Sequence, residues 1–283
     1  MVEVMLTEFT FISVSYNQEI FIIEHLNSIK EQIIRYGKNI KVSLVLADDC
    51  SKDSTVPLAK DWIKENEQLF DQVNLIANEV NLGSVKNIYN AIDHCVTEDF
   101  KILACDDRYN ESSNIFELYE KGINDVIITP IIPISNNSQE AKKYICGIER
   151  NFDLVKYYAN KNKLNIMLSI QNYLMAPGVF IPCKYWRDEE IKKEILNFKY
   201  IEDYPMWVNL IIKRNIHASV LEKAYVNYRL SLSTRKIDNK NVNDIRKDDN
   251  DMLKKLYSFK VDEIERLKYK VIKGILTLKH KIA

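Results

Sequence analysis

Three pairs of adjacent acidic residues are the segments of this sequence best suited to chemistry. Asp48–Asp49 follows the apolar run LVLA, Asp106–Asp107 follows ILAC, and Glu202–Asp203 precedes YPMW. Neighbouring carboxylates repel each other unless a cation or a hydrogen-bond donor lies between them. At the end of a strand, such a pair suits Mg²⁺ or Mn²⁺, which prefer oxygen ligands and often also bind substrate phosphates.

The acids also have simpler structural interpretations, which the sequence leaves open. Asp106–Asp107 could form a solvated turn that caps the next helix, and Asp203 could be the N-cap of the helix that follows it. Capping by Asp53 or Ser54 is expected in the loop after Asp49, but it does not explain two acids ahead of it. The functional alternatives are hydrogen bonds that Asp49 accepts from a base or a ribose, and proton abstraction by an ionised Asp203.

The elements that must position these acids alternate between strands and helices. Apolar, β-branched runs predict four strands, and helical spacing of apolar residues predicts three helices between them. The predicted strands are 9–17, the start of 41–55, 73–79 and 100–107, and the predicted helices are 19–37, 57–70 and one capped by Ser84. This order predicts an α/β fold with a mostly parallel central sheet flanked by helices. Both aspartate pairs then fall at the carboxyl edge, where such sheets bind ligands.

The second half of the chain is expected to be less regular. The predicted elements are a strand at 125–134, helices within 139–175, a short strand within 177–186, a helix within 200–214 and short strands at 218–235. Residues 236–251 are rich in Asp, Asn and Lys, which is typical of a linker, and 252–283 predict a helix. The predicted organisation is one domain over 1–235, then a linker and a basic amphipathic C-terminal helix over 236–283.

Composition argues against several classes of protein. The 283 residues carry 40 Lys or Arg and 40 Asp or Glu, and this zero net charge gives no reason to expect nucleic-acid binding. No run approaches the roughly 20 apolar residues of a membrane span, and the N-terminus is not expected to be a secretory signal. The five cysteines are scattered without a CxxC pair, which favours a reduced, cytoplasmic setting and argues against structural zinc. Phosphate-binding loops of the GxxxxGK[ST] and GxGxxG types are absent.

Six segments in a fixed order show a resemblance to a known family. They are VSYNQEIFIIEHLNSIKEQ, VLADDCSKDST, NLGSVKNIYNAI, ACDD, IEDYPMW and VNYRLSLS. The first three resemble the opening strand and helix, the nucleotide loop and the N-x-G-x-x-x-[RK]-N helix start of the same family. The last three resemble its metal-binding acids, its acceptor-side E-D motif and its Y-R segment. That family is the family 2 inverting glycosyltransferases with the GT-A fold, which include bacterial enzymes of surface-glycan synthesis. The resemblance covers about residues 9–235.

The resemblance implies an activity and a role for each matching residue. It implies transfer of a hexosyl group from a nucleotide-diphosphate donor, by default a UDP-sugar, to a hydroxyl of a glycan or lipid-linked acceptor, with inversion. Asp203 would be the general base, and Asp107 would bind Mn²⁺ or Mg²⁺. Residues 1–125 would bind the nucleotide sugar, and 126–235 the acceptor. The donor-binding residues would be Val14, Tyr16, Asp48, Asp49, Lys86, Asp106 and, at the diphosphate, Arg229.

Two departures from the family pattern keep other functions open. Cys105 stands where many members carry an acid, and Ser231 stands where many carry a histidine. A nucleotide-sugar-binding protein without catalytic activity is therefore an alternative. A receiver-like signalling module is another, because VLADD resembles an acidic phosphorylation pocket, but such a module has no use for the later acid pairs.

The C-terminal segment 252–283 combines positive charge with a heptad pattern. It has nine Lys or Arg and three acidic residues. One interpretation is a helix that packs on the domain or on a second copy of the chain. The other is an interfacial helix on anionic lipid, peripheral to the inner face of a membrane. The apolar positions that recur are Tyr257, Ile264, Val271 and Leu278, with Leu253 and Leu267 nearby.

Overall fold

A four-stranded parallel sheet forms the centre of the protein, as the sequence predicts. The computed structural model describes residues 6–120, 123–135, 139–230, 247–248, 251–252 and 263–282. The strands of the sheet are Glu8–Ser15 (β1), Lys41–Asp48 (β2), Gln72–Ala77 (β3) and Phe100–Ala104 (β4). Their order is β3-β2-β1-β4, and all neighbours are parallel. β1 and β2 are buried along most of their length, which explains their nearly continuous apolar sequences.

Three helices connect these strands: Ile22–Tyr36 (α1), Thr55–Asn66 (α2) and Ser84–Asp93 (α3). Each has an apolar face that packs into the core; Leu26 and Ile29 of α1, for example, have no exposed surface. The first helix begins later than the predicted residue 19. The reason is a turn before it, in which the backbone N–H of Glu19 is donated to the carboxylate of Asp53 at 3.1 Å.

Two small three-stranded sheets follow. Their strands are Arg108–Tyr109 (β5), Val126–Ile128 (β6), Ile132–Ile134 (β7), Val179–Phe180 (β8), Ala218–Val220 (β9) and Val226–Arg229 (β10). They pair in the orders β5-β10-β7 and β8-β6-β9. The prediction of one strand over 125–134 is therefore wrong. Pro130 lies between β6 and β7, and because it has no N–H to donate to a ladder, it interrupts the strand where the chain passes from one sheet to the other.

The described residues of the second half include five α-helices: Gln139–Ala159 (α4), Leu164–Leu168 (α5), Glu189–Ile195 (α6), Asp203–Trp207 (α7) and Glu263–Ile282 (α8). All but α6 lie in segments predicted to be helical; α6 was not predicted. α7 continues directly into a π-helical turn, Val208–Lys213. α8 confirms the C-terminal helix over its described residues, whereas most of the predicted linker 236–251 lies outside the described residues. Across the described ranges, no helix combines the length and hydropathy needed to span a bilayer.

Aromatic rings packed edge to face join β1 to the segment 116–119, which also contacts the start of β4. The ring of Phe9 lies 5.1 Å from that of Phe11, 5.3 Å from that of Phe116 and 4.8 Å from that of Tyr119. Such pairs add about 0.5–1.5 kcal/mol each beyond the burial of their area. The hydroxyl of Tyr119 donates to the carbonyl oxygen of Phe100 at 3.1 Å. The start of β4 is thereby fixed, and with it the position of the acids at its end.

Gly83 occupies a position that excludes other residues. Its φ is +85°, and a Cβ built there would lie 2.8 Å from the carbonyl oxygen of Lys199. We expect Gly83→Ala to lower the free energy of unfolding by about 1–3 kcal/mol. Gly274→Ala is the matched control, because a Cβ there meets no atom within 4 Å and alanine is the better helix former. Urea unfolding compares the two variants; a Gly83→Ala protein as stable as the wild type would contradict this account.

Candidate active site

Strand register brings the polar strand ends to one edge of the central sheet. Ser15, the last residue of β1, lies opposite Asp48, the last residue of β2. On the other side of β1, Val14 lies opposite Ala104, the last residue of β4. The two aspartate pairs therefore emerge side by side at the carboxyl edge, where ligands of parallel sheets bind.

Asp48 is occupied by contacts within the protein. It is 1% exposed and accepts hydrogen bonds from the hydroxyl of Ser15 at 2.8 Å and from the backbone N–H of Ser51 at 2.7 Å. Asp53 plays a similar role further along the loop, where it accepts the backbone N–H of Thr55 at 3.0 Å. These two aspartates shape the loop between β2 and α2. The cap position of α2 is Ser54, which makes no side-chain capping bond; Asp53, the residue before it, accepts the first N–H of the helix instead.

Asp49 holds the start of α3. Its two carboxylate oxygens accept the backbone N–H groups of Leu82 at 2.7 Å and Gly83 at 2.9 Å. The prediction that Ser84 caps this helix is wrong: the cap position is Gly83, and the hydroxyl of Ser84 donates to the carbonyl oxygen of Tyr200 at 3.0 Å. The Asp49 oxygen that accepts from Gly83 has a second lone pair, which a ligand donor can use.

A cavity of about 330 Å³ brings the later acids together. Asp106 and Asp107 line it at the end of β4, Glu202 and Asp203 line it at the start of α7, and Val14 lines it from β1. Four predicted site residues thus share one cavity, although the two acid pairs are far apart in the chain. The predicted residues outside its lining are Tyr16, Asp48, Asp49, Lys86 and Arg229.

Asp107 is almost fully buried, with 3% of its surface exposed. Its Oδ1 accepts the backbone N–H of Arg229 at 2.8 Å. Burial, and after it the charge of Asp106, raises the pKa of Asp107 well above its ordinary value. Burial also raises the pKa of Asp106. A cation bound to the pair would stabilise the ionised carboxylates and oppose both shifts.

The donor atoms at this point fit a divalent cation. Two carboxylates supply oxygen ligands, and Mg²⁺ or Mn²⁺ commonly takes its remaining ligands from water and substrate phosphates. Among the residues that the structure describes, no three or more His, Cys, Asp or Glu side chains are grouped so that they could enclose an ion. The two carboxylates therefore fit a cation that takes its other ligands from a phosphate-bearing molecule.

Arg229 connects β10 to the segment Asp106–Asp107, the acid loop. Besides its backbone bond to Asp107, its Nε donates to the carbonyl oxygen of Asp106 at 2.9 Å. Its guanidinium forms an ion pair with Glu24 and lies 4.4 Å from the centre of the Phe21 ring. The predicted contact with a diphosphate would compete with Glu24 for this guanidinium.

His25 supports the acid loop, a role that the sequence did not reveal. The residue is 1% exposed; its Nδ1 lies 2.8 Å from the carbonyl oxygen of Asp107, and its Nε2 lies 2.7 Å from the hydroxyl of Ser13. Because a carbonyl oxygen can only accept, Nδ1 carries the proton and Nε2 accepts from Ser13. Burial lowers the pKa of His25 to about 4, so the ring is neutral near pH 7. The available signal was a histidine on the apolar face of α1.

Lys101 is a second residue that sequence reasoning missed. It lies in the apolar strand β4, is 6% exposed and lines the cavity. Its Nζ donates to the carbonyl oxygen of Val179 at 2.7 Å and lies 4.2 Å from the centre of the Phe180 ring. Burial lowers the pKa of Lys101 to about 7. A lysine within FKILA is the signal that could have identified it.

The two acids of the third pair, Glu202 and Asp203, differ in position and in hydrogen bonding. Asp203 is the first residue of α7, and Glu202, not Asp203, occupies the cap position. The Asp203 carboxylate accepts the backbone N–H of Tyr204 at 2.6 Å and the Nδ2 of Asn172 at 2.9 Å. Burial, and after it the charge of Asp203, raises the pKa of Glu202 to about 8, so Glu202 is protonated at neutral pH. Asp203 differs from Glu202 in that two N–H donors hold its carboxylate, and such bonds stabilise the charged form.

Comparisons with known proteins agree with the fold. The family model for glycosyl transferase family 2 matches residues 10–176. The structure of S. aureus TarS 1–349 in complex with UDP-GlcNAc matches with a TM-score of 0.52 at 20% identity, over 79% of this chain and 59% of that chain. TarS 1–349 in complex with UDP matches with a TM-score of 0.49 at 17% identity, over 79% and 61%. The mannosyltransferase PcManGT from Pyrobaculum calidifontis, in complex with GDP-Man and Mn²⁺, matches with a TM-score of 0.37 at 20% identity, over 44% and 35%.

The chain spans about 60% of the length of these two TarS chains. No curated protein matches it. The TarS match at a TM-score of 0.52 agrees with the predicted GT-A arrangement of a parallel sheet flanked by helices.

The neutral His25 makes the protein sensitive to acid. Its pKa is about 4 in the folded protein and about 6.5 when unfolded, so between these values only the unfolded chain gains the proton. Stability should therefore fall by roughly 3 kcal/mol from this group as the pH drops from 6.5 to 4. His25→Asn, which keeps a donor near Nδ1, should be less stable at pH 7 but lose less on acidification. Urea unfolding across this range tests it, with the exposed His94→Asn as control; equal slopes for His25→Asn and wild type would contradict it.

Proposed function

The chain belongs to glycosyl transferase family 2, and we propose that it transfers a hexosyl group from a UDP-sugar to a hydroxyl of a glycan or lipid-linked acceptor, with inversion. The observation that carries this proposal is the cavity that Asp106 and Asp107 share with Asp203. A donor held at the first of these acid pairs would present its anomeric carbon to an acceptor hydroxyl at Asp203. The TarS structure with UDP-GlcNAc is the reason to prefer UDP as the nucleotide.

The nucleotide-binding role falls to residues around the cavity. Val14 and the half-exposed Tyr16 would flank the uracil at the end of β1. Asp49, with Asp48 beside it, would accept a hydrogen bond from the base while holding the start of α3. Lys86 is exposed on the first turn of α3 and would approach the diphosphate with a compact positive charge.

The diphosphate would lie at the second aspartate pair. Asp107, assisted by Asp106, would hold Mn²⁺ or Mg²⁺, which when bound neutralises charge on the departing nucleoside diphosphate. The backbone N–H of Arg229 and the ring of His25 fix the position of the Asp107 loop. The guanidinium of Arg229 would reach the diphosphate by releasing Glu24.

Asp203 would act as the general base of the transfer. The acceptor oxygen attacks C1 of the sugar from the side opposite the diphosphate, the C1–O bond to the diphosphate breaks, and the hydroxyl proton passes to the Asp203 carboxylate. Asn172 and the N–H of Tyr204 orient that carboxylate. Because Glu202 is protonated at neutral pH, it adds no second negative charge beside the base.

We also propose a cytoplasmic setting, and a division of the domain into a donor region over 1–125 and an acceptor region over 126–235. Five cysteines are present, all of them unpaired, which suits a reducing compartment. The proposed donor-side residues from Val14 to Asp107 lie in the donor region, and Asp203 and Asn172 lie in the acceptor region. Arg229 is the exception, a proposed diphosphate contact from the acceptor region.

Nucleotide binding can be tested by thermal unfolding with UDP and Mn²⁺. At about 100 times its Kd, UDP should add roughly 2.7 kcal/mol, a shift of several degrees in Tm. Asp107→Asn should abolish the Mn²⁺-dependent component of the shift while leaving the protein without ligand at least as stable as the wild type, because a buried charge is removed. Asp61→Asn, a change at an exposed carboxylate of α2, is the control. An undiminished Mn²⁺-dependent shift in Asp107→Asn would remove this residue from the site.

The role of Asp203 can be tested by measuring UDP release from UDP-sugars. Asp203→Asn should lower turnover about 10²–10⁴-fold, as expected for loss of a general base, while keeping the thermal shift with UDP. Glu202→Gln is the matched control; it mimics the protonated acid and should stay within about tenfold of wild type at pH 7. A wild-type protein that binds UDP but turns over no UDP-sugar would support the inactive binding protein instead, and equal turnover by Asp203→Asn would exclude the assigned base.

A further inference from the structure

The C-terminal helix α8 is attached to the domain along one side. Tyr269 is 4% exposed, and its hydroxyl lies 2.7 Å from the hydroxyl of Tyr173. Lys273 donates to the same Tyr173 oxygen at 2.5 Å, and Glu265 forms an ion pair with Lys163 at 3.3 Å. These contacts fix which side of α8 faces away from the domain.

The side that faces away carries large apolar residues. They follow one another at intervals of three or four, which aligns them along one face of an α-helix. Each is between 55% and 63% exposed, and the line from first to last is about 21 Å long at 1.5 Å per residue. This apolar stripe consists of Ile264, Leu267, Val271, Ile275 and Leu278.

Positive charge accompanies the apolar stripe. α8 contains six Lys or Arg and two Glu residues, a net charge of +4 in a chain whose net charge is zero. Lys268 and Lys270 are both exposed. At about 100° per residue, they fall on opposite sides of the stripe. The apolar residues in the middle suit the acyl boundary of an anionic lipid surface, and the lysines at both borders suit its phosphates.

We propose that the apolar stripe binds the protein peripherally to an anionic bilayer, with α8 lying in the plane of the interface. This surface is separate from the cavity and does not depend on the proposed reaction. A second copy of the chain is a less suitable occupant, because it would bring two helices of like charge together. The five side chains also expose only on the order of 500 Å², less than the ~800 Å² that each partner of a stable complex usually buries.

The test is co-sedimentation of the full chain with phosphatidylcholine vesicles and with vesicles that also contain phosphatidylglycerol. The wild type should bind the anionic vesicles preferentially, and less at high salt. The triple variant Leu267→Gln, Val271→Gln, Ile275→Gln should bind at least about tenfold more weakly, because the apolar area that enters the lipid is lost. The matched control changes three exposed aliphatic residues elsewhere to glutamine, namely Ile34, Val80 and Val96.

Three results would overturn the proposal. The first is a wild type that stays in the supernatant with both kinds of vesicle, or sediments equally with both. The second is a stripe variant that sediments as well as the control variant. The third is light scattering that shows a wild-type dimer which the stripe variant converts to monomer, without vesicle binding; a second copy would then be the occupant. A ligand-free Tm equal to that of the wild type confirms that the stripe variant remains folded.

Discussion

Two adjacent carboxylates in one shielded cavity are the constraint on which the rest of this site depends. Burial of a charge is costly unless hydrogen bonds and opposite charge offset it. The protein supplies the Arg229 amide to Asp107 and places Lys101 in the same cavity, yet the pKa values of both Asp106 and Asp107 remain raised. The pair therefore still lacks positive charge. A cation arriving with the proposed diphosphate would supply it, and the site would then be more stable with its ligand than without it.

The segments that carry Asp49 and Asp203 are joined through backbone contacts. Asp49 holds the N–H of Gly83, and the N–H of Val85 is donated to the carbonyl oxygen of Lys199 at 3.2 Å. Asp248 accepts the backbone N–H groups of Lys199 at 2.9 Å and Tyr200 at 2.8 Å. Lys199 lies only a few residues before Asp203 in the chain. The placement of Asp203 thus depends on the start of α3, which Asp49 holds.

The sequence could predict those features of the structure that depend on the local pattern of apolar and acidic residues. Continuous apolar runs identified the parallel strands, and the acids at their ends had to meet because parallel strands end at one edge. The split between β6 and β7 was missed because an apolar run does not show which sheet each half joins. The role of His25 was missed because its partner Asp107 lies 82 residues away. The sequence also could not show that Glu24 already pairs with Arg229, since these residues lie 205 positions apart and meet only in the folded protein.

The proposed membrane surface bears on the choice of acceptor. α8 meets the domain at Tyr173, and the preceding residue, Asn172, donates the hydrogen bond that orients Asp203. The helix that would lie on the bilayer is therefore anchored next to the group that would receive the acceptor proton. A lipid-linked acceptor is confined to the same surface, so membrane attachment raises its effective concentration at the site, whereas a free glycan gains nothing from it. Of the two acceptor classes, the position of α8 favours the lipid-linked one.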